Sequence, residues 1–240
     1  MNYIKAKDIL NIANKNLKAP SIVYILFSRK FFLKIKYKFK LKEHKFTRGR
    51  LYIEKNYHFA VIVNPGVGLS SSLMLAEELS EMGVKKVIAI GIAGAINAEL
   101  KITDIFLIKS VFSPISLSQI YKNYKPELFL SKKLNKRILK IIPNLKQAKS
   151  ISALTIYEEK DSLISGFLKK DISLIEMEAF YLAIVFDKNK VEFSEIVGIV
   201  DISKDKQWIF NTTNKEKVYK KLADIFLKLV QSNRALKKGN

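Results

Sequence analysis

The stretch that decides the fold, residues 59–96, reads FAVIVNPGVGLSSSLMLAEELSEMGVKKVIAIGIAGAI. Residues 59–64 are apolar and rich in β-branched side chains, which is typical of a buried strand. A proline, two glycines and three serines follow and predict a turn and the start of a helix. Apolar residues recur at helical spacing over residues 73–82, and Gly83 stands where a C-cap glycine is expected. The apolar run 84–91 then predicts a second strand, parallel to the first and reached by a right-handed crossover.

Glycines follow both predicted strands where they end. Gly66 and Gly68 follow the first, and Gly91 and Gly94 follow the second. In open α/β sheets ligands bind beyond the carboxyl ends of the strands, and glycine lets backbone N–H groups approach a ligand closely. The competing interpretation is that these glycines only make tight turns. The pattern lacks the Gly-Lys-Ser/Thr ending of a phosphate loop and the third glycine of a dinucleotide site.

The size and composition of the chain limit the class of protein. Its 240 residues are enough for one large α/β domain and few for two. Cysteine is absent from the sequence, which excludes disulfides, a thiol nucleophile and a thiolate metal site. No apolar run reaches the ~18 residues of a membrane span, and the N-terminus has no signal-peptide pattern. We therefore expect a cytoplasmic protein without membrane association.

The chain is strongly basic, with a formal net charge of +21. Such a charge is compatible with nucleic-acid binding. The excess of lysine over arginine, together with abundant isoleucine and asparagine, is equally typical of an AT-rich genome. In the densest segment, Arg29–Arg50, basic residues alternate with apolar ones, which predicts exposed edge strands whose charges prevent aggregation. Nucleic acid is therefore the less favoured partner.

The remainder of the chain continues the α/β pattern. Apolar runs at residues 21–27, 104–112 and 195–203 predict strands, and helical spacing predicts helices over 132–142 and 215–232. No internal repeat or interdomain linker is evident. The sequence therefore predicts a single α/β domain over residues 1–240.

Three carboxylates stand in apolar surroundings. Glu176 and Glu178 begin the segment 173–187, SLIEMEAFYLAIVFD, and Asp201 ends a strongly apolar strand. Burying an unpaired carboxylate costs several kcal/mol or raises its pKa. These acids also have purely structural explanations. Glu176 and Glu178 would complement the helix dipole in the first turn of a helix, and Asp201 would cap the turn that follows its strand. The end of a central strand is also where this architecture holds catalytic groups.

Taken together, the motifs resemble those of the nucleoside phosphorylase family. VNPGVGLSSSLMLAEEL and KKVIAIGIAGAI precede LIEMEAF, and VGIVD follows it, so that Asp201 comes 23 positions after Glu178. The family includes purine nucleoside phosphorylases, uridine phosphorylases and methylthioadenosine/adenosylhomocysteine nucleosidases. The resemblance covers roughly residues 20–232 and implies a three-layer domain with a mixed central sheet flanked by helices, called phosphorylase/hydrolase-like.

The resemblance also implies roles for individual residues. Glu178 would bind the ribose 2′- and 3′-hydroxyls beside Glu176, and Met177 would pack on the sugar. Asp201 would donate a proton or hydrogen bond to a purine at N7, for which it needs a raised pKa. Gly66 and Gly68 would line the nucleophile side, Gly91 and Gly94 would border the base, and an aromatic residue near Tyr157 would stack on it. The bond would break through an oxocarbenium-like sugar.

The chain departs from the phosphorolytic members in the phosphate site. Ala89 and Ile92 stand where those enzymes have an Arg and a Ser or Thr, and their glycine-aspartate-proline turn is missing near residues 27–28. Arg29 lies close to the place of another family Arg. Lys42 replaces an Arg that is given across a subunit interface, and lysine lacks the bidentate fork of arginine.

Three functional alternatives therefore stay open. The first is hydrolysis, for which known nucleosidases use an N-terminal Glu as base, whereas this chain has no acid before Asp8. The second is phosphorolysis with an anion site built from Arg29 and Lys42 and phosphate as co-substrate. The third is a non-catalytic nucleoside-binding or assembly protein. The resemblance implies a homo-oligomer, either a dimer or a trimer of dimers, with no metal and no organic cofactor.

Overall fold

The computed structural model of the protein describes residues 4–13, 17–122, 124–155, 157, 161–204 and 207–238. The helices are α1 Ala6–Ala13, α2 Arg29–Ile35, α3 Gly68–Glu81, α4 Lys132–Ile141, α5 Asp161–Leu168, α6 Ala179–Lys188 and α7 Thr212–Lys238, with a 3₁₀ turn at Lys36–Lys38. The strands are β1 Val23–Leu26, β2 Leu41–His44, β3 Arg50–Glu54, β4 Ala60–Val63, β5 Lys86–Ala95, β6 Ile105–Phe112, β7 Glu127–Phe129, β8 Lys146–Ser152, β9 Ile172–Glu176, β10 Glu192–Lys204 and β11 Gln207–Phe210.

The strands form one mixed sheet in the order β11-β10-β6-β8-β9-β5-β1-β4-β3-β2, with β7 paired to β6. A further parallel pairing joins β5 to β10. Strands β5, β10, β6, β8 and β9 therefore close into a ring, which leaves these central strands without free edges. Ile175 of β9 pairs with Gly94, so the end of β9 comes beside the end of β5.

Helices cover both faces of the sheet because its central strands are apolar on both sides. On one face, Val23 and Ile25 of β1 share a core with the apolar residues of α3 and α6. On the other, Tyr24 and Leu26 pack with residues of α2, α4 and α7. This arrangement confirms the predicted α/β architecture of a mixed sheet flanked by helices. None of the helices in the described residues is both long and apolar enough to cross a membrane.

The strand, helix, strand unit predicted from residues 59–96 is present as β4, α3 and β5. The two strands are parallel, as predicted, but β4 and β5 are not neighbours in the sheet. Strand β1 lies between them and pairs in parallel with both. The three strands nevertheless run in the same direction, so their carboxyl ends lie at one edge of the sheet.

The prediction of edge strands throughout the basic segment Arg29–Arg50 was also wrong. Its first part is α2, where the Ser28 hydroxyl accepts a hydrogen bond from the Phe31 N–H at 3.3 Å and caps the helix. Phe31, Phe32 and Ile35 are buried on one side of this helix, and Phe31 stacks on Tyr219 of α7. Burial of these side chains against α7 selects the helix, and only the later part of the segment is extended.

Candidate active site

A cavity of about 480 Å³ opens where β1, β5 and β10 end. Its walls come from those strands, the turn between β9 and α6, the start of α2 and one side of α7. They include Phe27, Ser28, Arg29, Lys30, Val67, Ile90, Gly91, Ile92, Ala93, Gly94, Ile175, Glu176, Met177, Glu178, Glu195, Val200, Asp201, Lys215, Tyr219 and Leu222. The placement follows the rule that α/β sheets bind ligands at the carboxyl ends of their strands.

Glu176, the last residue of β9, holds the turn in place. Its carboxylate accepts hydrogen bonds from the backbone N–H groups of Glu178 at 2.6 Å and Ala179 at 2.7 Å. The hydroxyls of Ser150 and Ser152 donate to its other oxygen. Burial raises the pKa of Glu176 and these four donors lower it. Both carboxylate oxygens of Glu176 are therefore hydrogen-bonded to protein donors, in β8 and at the start of α6.

Glu178 follows at the N-cap position of α6 and is also buried. One of its oxygens accepts a hydrogen bond from the Gly68 N–H at 2.9 Å, at the first residue of α3. Gly68 has a φ of +79°, a conformation in which glycine is not strained. Burial, and then the charge of Glu176, raise the pKa of Glu178 to about 7. The contact joins the first glycine motif to the acidic turn.

Asp201 lies on β10 opposite Gly94 of β5. A Cβ added at Gly94 would lie 2.5 Å from the Asp201 Oδ1 atom, so the carboxylate occupies the space that a side chain would need. Burial raises the pKa of Asp201, while a side-chain hydrogen bond with Trp208 and the charge of Lys215 lower it. A raised pKa is what a proton donor at this position requires.

The structure brings most of the predicted site residues together. Arg29, Gly91, Gly94, Glu176, Met177, Glu178 and Asp201 all line the cavity, and Gly68 touches it through Glu178. Gly66, Lys42 and Tyr157 are not among the lining residues. Lys42 lies on β2 at the far side of the sheet order, and the Tyr157 side chain is 87% exposed. The roles proposed for these three residues stay predictions.

Charge is distributed unevenly over the cavity walls. Glu176, Glu178 and Glu195 are buried, whereas Arg29 and Lys30 are exposed at the opening. The described residues contain no group of three or more histidine, aspartate or glutamate side chains arranged to hold a metal ion. The cavity therefore combines an acidic interior with a basic entrance.

Comparison of the sequence with family profiles matches residues 23–231 to the phosphorylase superfamily. The chain belongs to this superfamily. The resemblance carried by the motifs is thereby confirmed. A search of curated proteins finds no match.

Solved structures of superfamily members share the fold. A futalosine hydrolase mutant of Helicobacter pylori has a TM-score of 0.73 and 19% identity, over 89% of this chain and 100% of that one. The 5′-methylthioadenosine/S-adenosyl homocysteine nucleosidase of the same organism has a TM-score of 0.72 and 19% identity, over 91% of this chain and 99% of that one. The corresponding nucleosidase of Campylobacter jejuni has a TM-score of 0.74 and 15% identity, over 89% of this chain and 98% of that one. At these identities the likeness establishes the fold.

The motifs of this superfamily member did not reveal four residues of the cavity region. Lys30 and Lys215 line the cavity, Trp208 interacts with Asp201, and Glu195 lies in the interior. A signal for Glu195 was present, since a glutamate precedes the apolar run IVGIV. The predicted strand covers residues 195–203, but β10 begins at Glu192, so Glu195 lies inside the strand.

Proposed function

We propose that the protein is a nucleosidase that hydrolyses the N-glycosidic bond of a purine nucleoside. The observation that carries the proposal is the presence of Glu178 and Asp201 in one cavity, at the carboxyl ends of β5 and β10. Two carboxylates with raised pKa values and different partners are typical of a site that divides acid and charge-stabilising roles.

The chemistry assigns one part of the substrate to each carboxylate. Glu178, when ionised, accepts hydrogen bonds from the ribose hydroxyls and stabilises the positive charge that develops on the sugar. Asp201, when protonated, donates to the ring nitrogen of the departing base, so that the base leaves neutral. Met177 packs on the sugar, where a polarizable thioether is suitable.

Water is the better acceptor of the ribosyl group because the cavity interior is acidic. Ala89 and Ile92 offer no positive charge where phosphorolytic relatives bind phosphate. The buried carboxyl groups of Glu176, Glu178 and Glu195 offer an anion no positive charge, and any of them that is ionised repels it in a low-dielectric interior. The solved relatives named above are a hydrolase and nucleosidases, which supports the same choice.

Phosphorolysis is the second candidate, and the position of Arg29 favours it. This side chain lies on the cavity wall at the start of α2, where it could bind phosphate near the entrance. In this alternative the protein is a homo-oligomer, and Lys42 of a neighbouring copy supplies a further positive charge.

The deciding experiment measures base release by chromatography from inosine, adenosine, guanosine, methylthioadenosine and uridine, with and without phosphate. We expect release from a purine nucleoside without phosphate, and a large loss in the Asp201→Asn variant. Release that requires phosphate would replace hydrolysis by phosphorolysis. Failure of concentrated enzyme to release any base would leave a non-catalytic nucleoside-binding protein, which calorimetric titration with the same nucleosides would detect.

A further inference from the structure

Trp208 is the one tryptophan of the chain, and burial does not explain its position. It lies on β11, which pairs antiparallel with the end of β10, and it is 66% exposed. Its ring stacks on that of Phe210, with the centroids 5.3 Å apart and the planes 7° from parallel. Apolar burial stabilises in proportion to the area removed from water, so it contributes little here. The polar edge of the indole has to be considered instead.

The register of the two strands places Trp208 diagonally across from Asp201. Phe210 lies directly opposite Asp201, and Trp208 lies opposite Ser203. Because side chains alternate between the two faces of a strand, Asp201, Trp208 and Phe210 share one face of the pair. Such diagonal neighbours are about 7–8 Å apart, within reach of an aromatic side chain. The indole forms a side-chain hydrogen bond with the Asp201 carboxyl group.

The other edge of β10 confines the same carboxyl group. Gly94 of β5 pairs with Asp201 there, and the Oδ1 atom lies 2.5 Å from the place that a Cβ of Gly94 would take. The preceding residue, Val200, is buried in an apolar cluster and has no hydroxyl to offer. Among the described residues, Trp208 is therefore the hydrogen-bond donor that contacts the Asp201 side chain.

Other charged groups act on Asp201 from a distance. Lys215 of α7 lowers its pKa through its positive charge, and the Lys215 ammonium group lies 5.8 Å from the centroid of the Phe210 ring. Glu176 and Glu178 line the cavity from the turn between β9 and α6. The residues of β5 that pair beside Asp201 are glycine and alanine and do not titrate. None of these groups fixes the direction in which the carboxyl group points.

An indole N–H can only donate, whereas a protonated carboxyl group donates from one oxygen and accepts at the other. The oxygen that the indole contacts is therefore the accepting one, and the proton lies on the other oxygen. We propose that Trp208 is a positioning residue that holds the Asp201 carboxyl group with its protonated oxygen toward the base in the cavity. This role rests on the proposed function, in which Asp201 protonates the departing base.

Orientation matters because the terminal torsion of an aspartate is broad and roughly two-fold. Without the indole, either oxygen of Asp201 can face the cavity, and the acid proton is directed at the base for only part of the time. A single hydrogen bond favours one arrangement by a factor of about 5 to 10. The stack on Phe210 holds the indole in place without burying it.

The first test compares Trp208→Phe, which keeps an aromatic ring on Phe210 but removes the N–H, with Ile209→Val, which changes the opposite face of β11. We expect Trp208→Phe to lower kcat for base release by about 5- to 10-fold, with little change in KM. Ile209→Val should retain the wild-type kcat. Thermal unfolding of both variants should match the wild type, because both residues are exposed.

The pH profile separates positioning from a structural effect. The hydrogen bond from Trp208 lowers the pKa of Asp201, so its removal should raise that pKa. The decline of the rate with rising pH should therefore move to higher pH in Trp208→Phe, although the maximal rate is lower. An unchanged kcat, or a loss that is equal at every pH without a shift, would overturn the role of Trp208.

Fluorescence tests the contact without a substrate, because all tryptophan emission comes from Trp208. We expect the emission to titrate with the pKa of Asp201 in the wild type and in the control Asp205→Asn, and not in Asp201→Asn. Asp205 is the acid that stands three positions before Trp208 in the sequence. A titration that persists in Asp201→Asn would overturn the contact whatever the activity. A wild type that titrates but releases no base would overturn the proposed function, and with it the catalytic meaning of the contact.

Discussion

The substitution Gly94→Ala tests whether the position of the Asp201 carboxylate matters for catalysis. A Cβ at residue 94 would lie 2.5 Å from Asp201 Oδ1 and 3.1 Å from Ile175 Cγ2, whereas ordinary contacts begin at 3.4 Å. The Cγ2 methyl group of Ile175 needs to give by only a few tenths of an ångström. The carboxylate must therefore retreat by about 0.9 Å, and a misplacement of about 1 Å can lower a rate by roughly 10²-fold.

The expected loss in transition-state stabilisation is about 2.7 kcal/mol, since each tenfold in rate corresponds to about 1.36 kcal/mol. The loss should appear mainly in kcat, because Glu178, the residue proposed to bind the ribose, lies on a different wall of the cavity. The assay is base release from the preferred nucleoside under saturating conditions. Gly166→Ala serves as the control, since open space surrounds Gly166 in α5, and it should leave kcat unchanged.

A double mutant separates displacement of Asp201 from general disturbance of the sheet. In the Asp201→Asn background the displaced group no longer supplies a proton, so adding Gly94→Ala should lower kcat by less than threefold, an effect far from additive. An equal loss in both backgrounds, or a wild-type kcat in Gly94→Ala, would refute the reasoning. Thermal unfolding of each variant shows whether the fold is retained.

Three further predictions concern the carboxylates and their supports. Asp201→Asn should lower kcat by about 10²-fold or more. The wild-type rate should decline as the pH rises through the raised pKa of Asp201, and the variant should lack this decline. An unchanged pH profile would exclude Asp201 as the proton donor. The pKa of Glu178 is raised from 4.5 to about 7, so the native state retains a proton that the unfolded state loses. The free energy of unfolding should therefore fall by about 3 kcal/mol from this group as the pH rises through that interval. Denaturant unfolding at pH 4.5 and pH 7.5 should show a smaller fall in Glu178→Gln, and an equal fall would contradict the assignment. Ser152→Ala removes a hydroxyl that accepts a hydrogen bond from a backbone N–H of α6 at 2.8 Å. The substitution should therefore lower the melting temperature by several degrees, corresponding to about 1–3 kcal/mol. Calorimetry of this variant and of the exposed control Ser165→Ala measures the difference.

Local patterns predicted the elements whose periodicity was unambiguous. The apolar run and glycines of residues 59–96 gave β4, α3 and β5 in the right order, and helical spacing predicted most of α7. The first part of the segment Arg29–Arg50 was wrongly predicted as a strand, because a short window of alternating basic and apolar residues fits a strand as well as a helix. Its outcome depends on Phe31 and Phe32, which are buried against other elements distant in sequence.

The site was partly predictable for a similar reason. The order of Glu176, Glu178 and Asp201 is a property of the sequence, and the motif resemblance located them without a structure. Their partners were not predictable, because the Gly68 N–H lies 110 positions from Glu178 along the chain and meets it only when α3 and α6 pack together.

The amino-acid sequence by itself determined the superfamily, the order of strands and helices around the first glycine turn, and the chemical identity of the acids available to a site. The tertiary structure decided which acids share a cavity and which of them have partners. Glu176 and Glu195 are both buried glutamates, yet four donors surround the first and one oxygen of the second has none among the described residues. That difference arises from strand pairing and helix packing over long sequence separations, and it determines the electrostatics on which the chemistry depends.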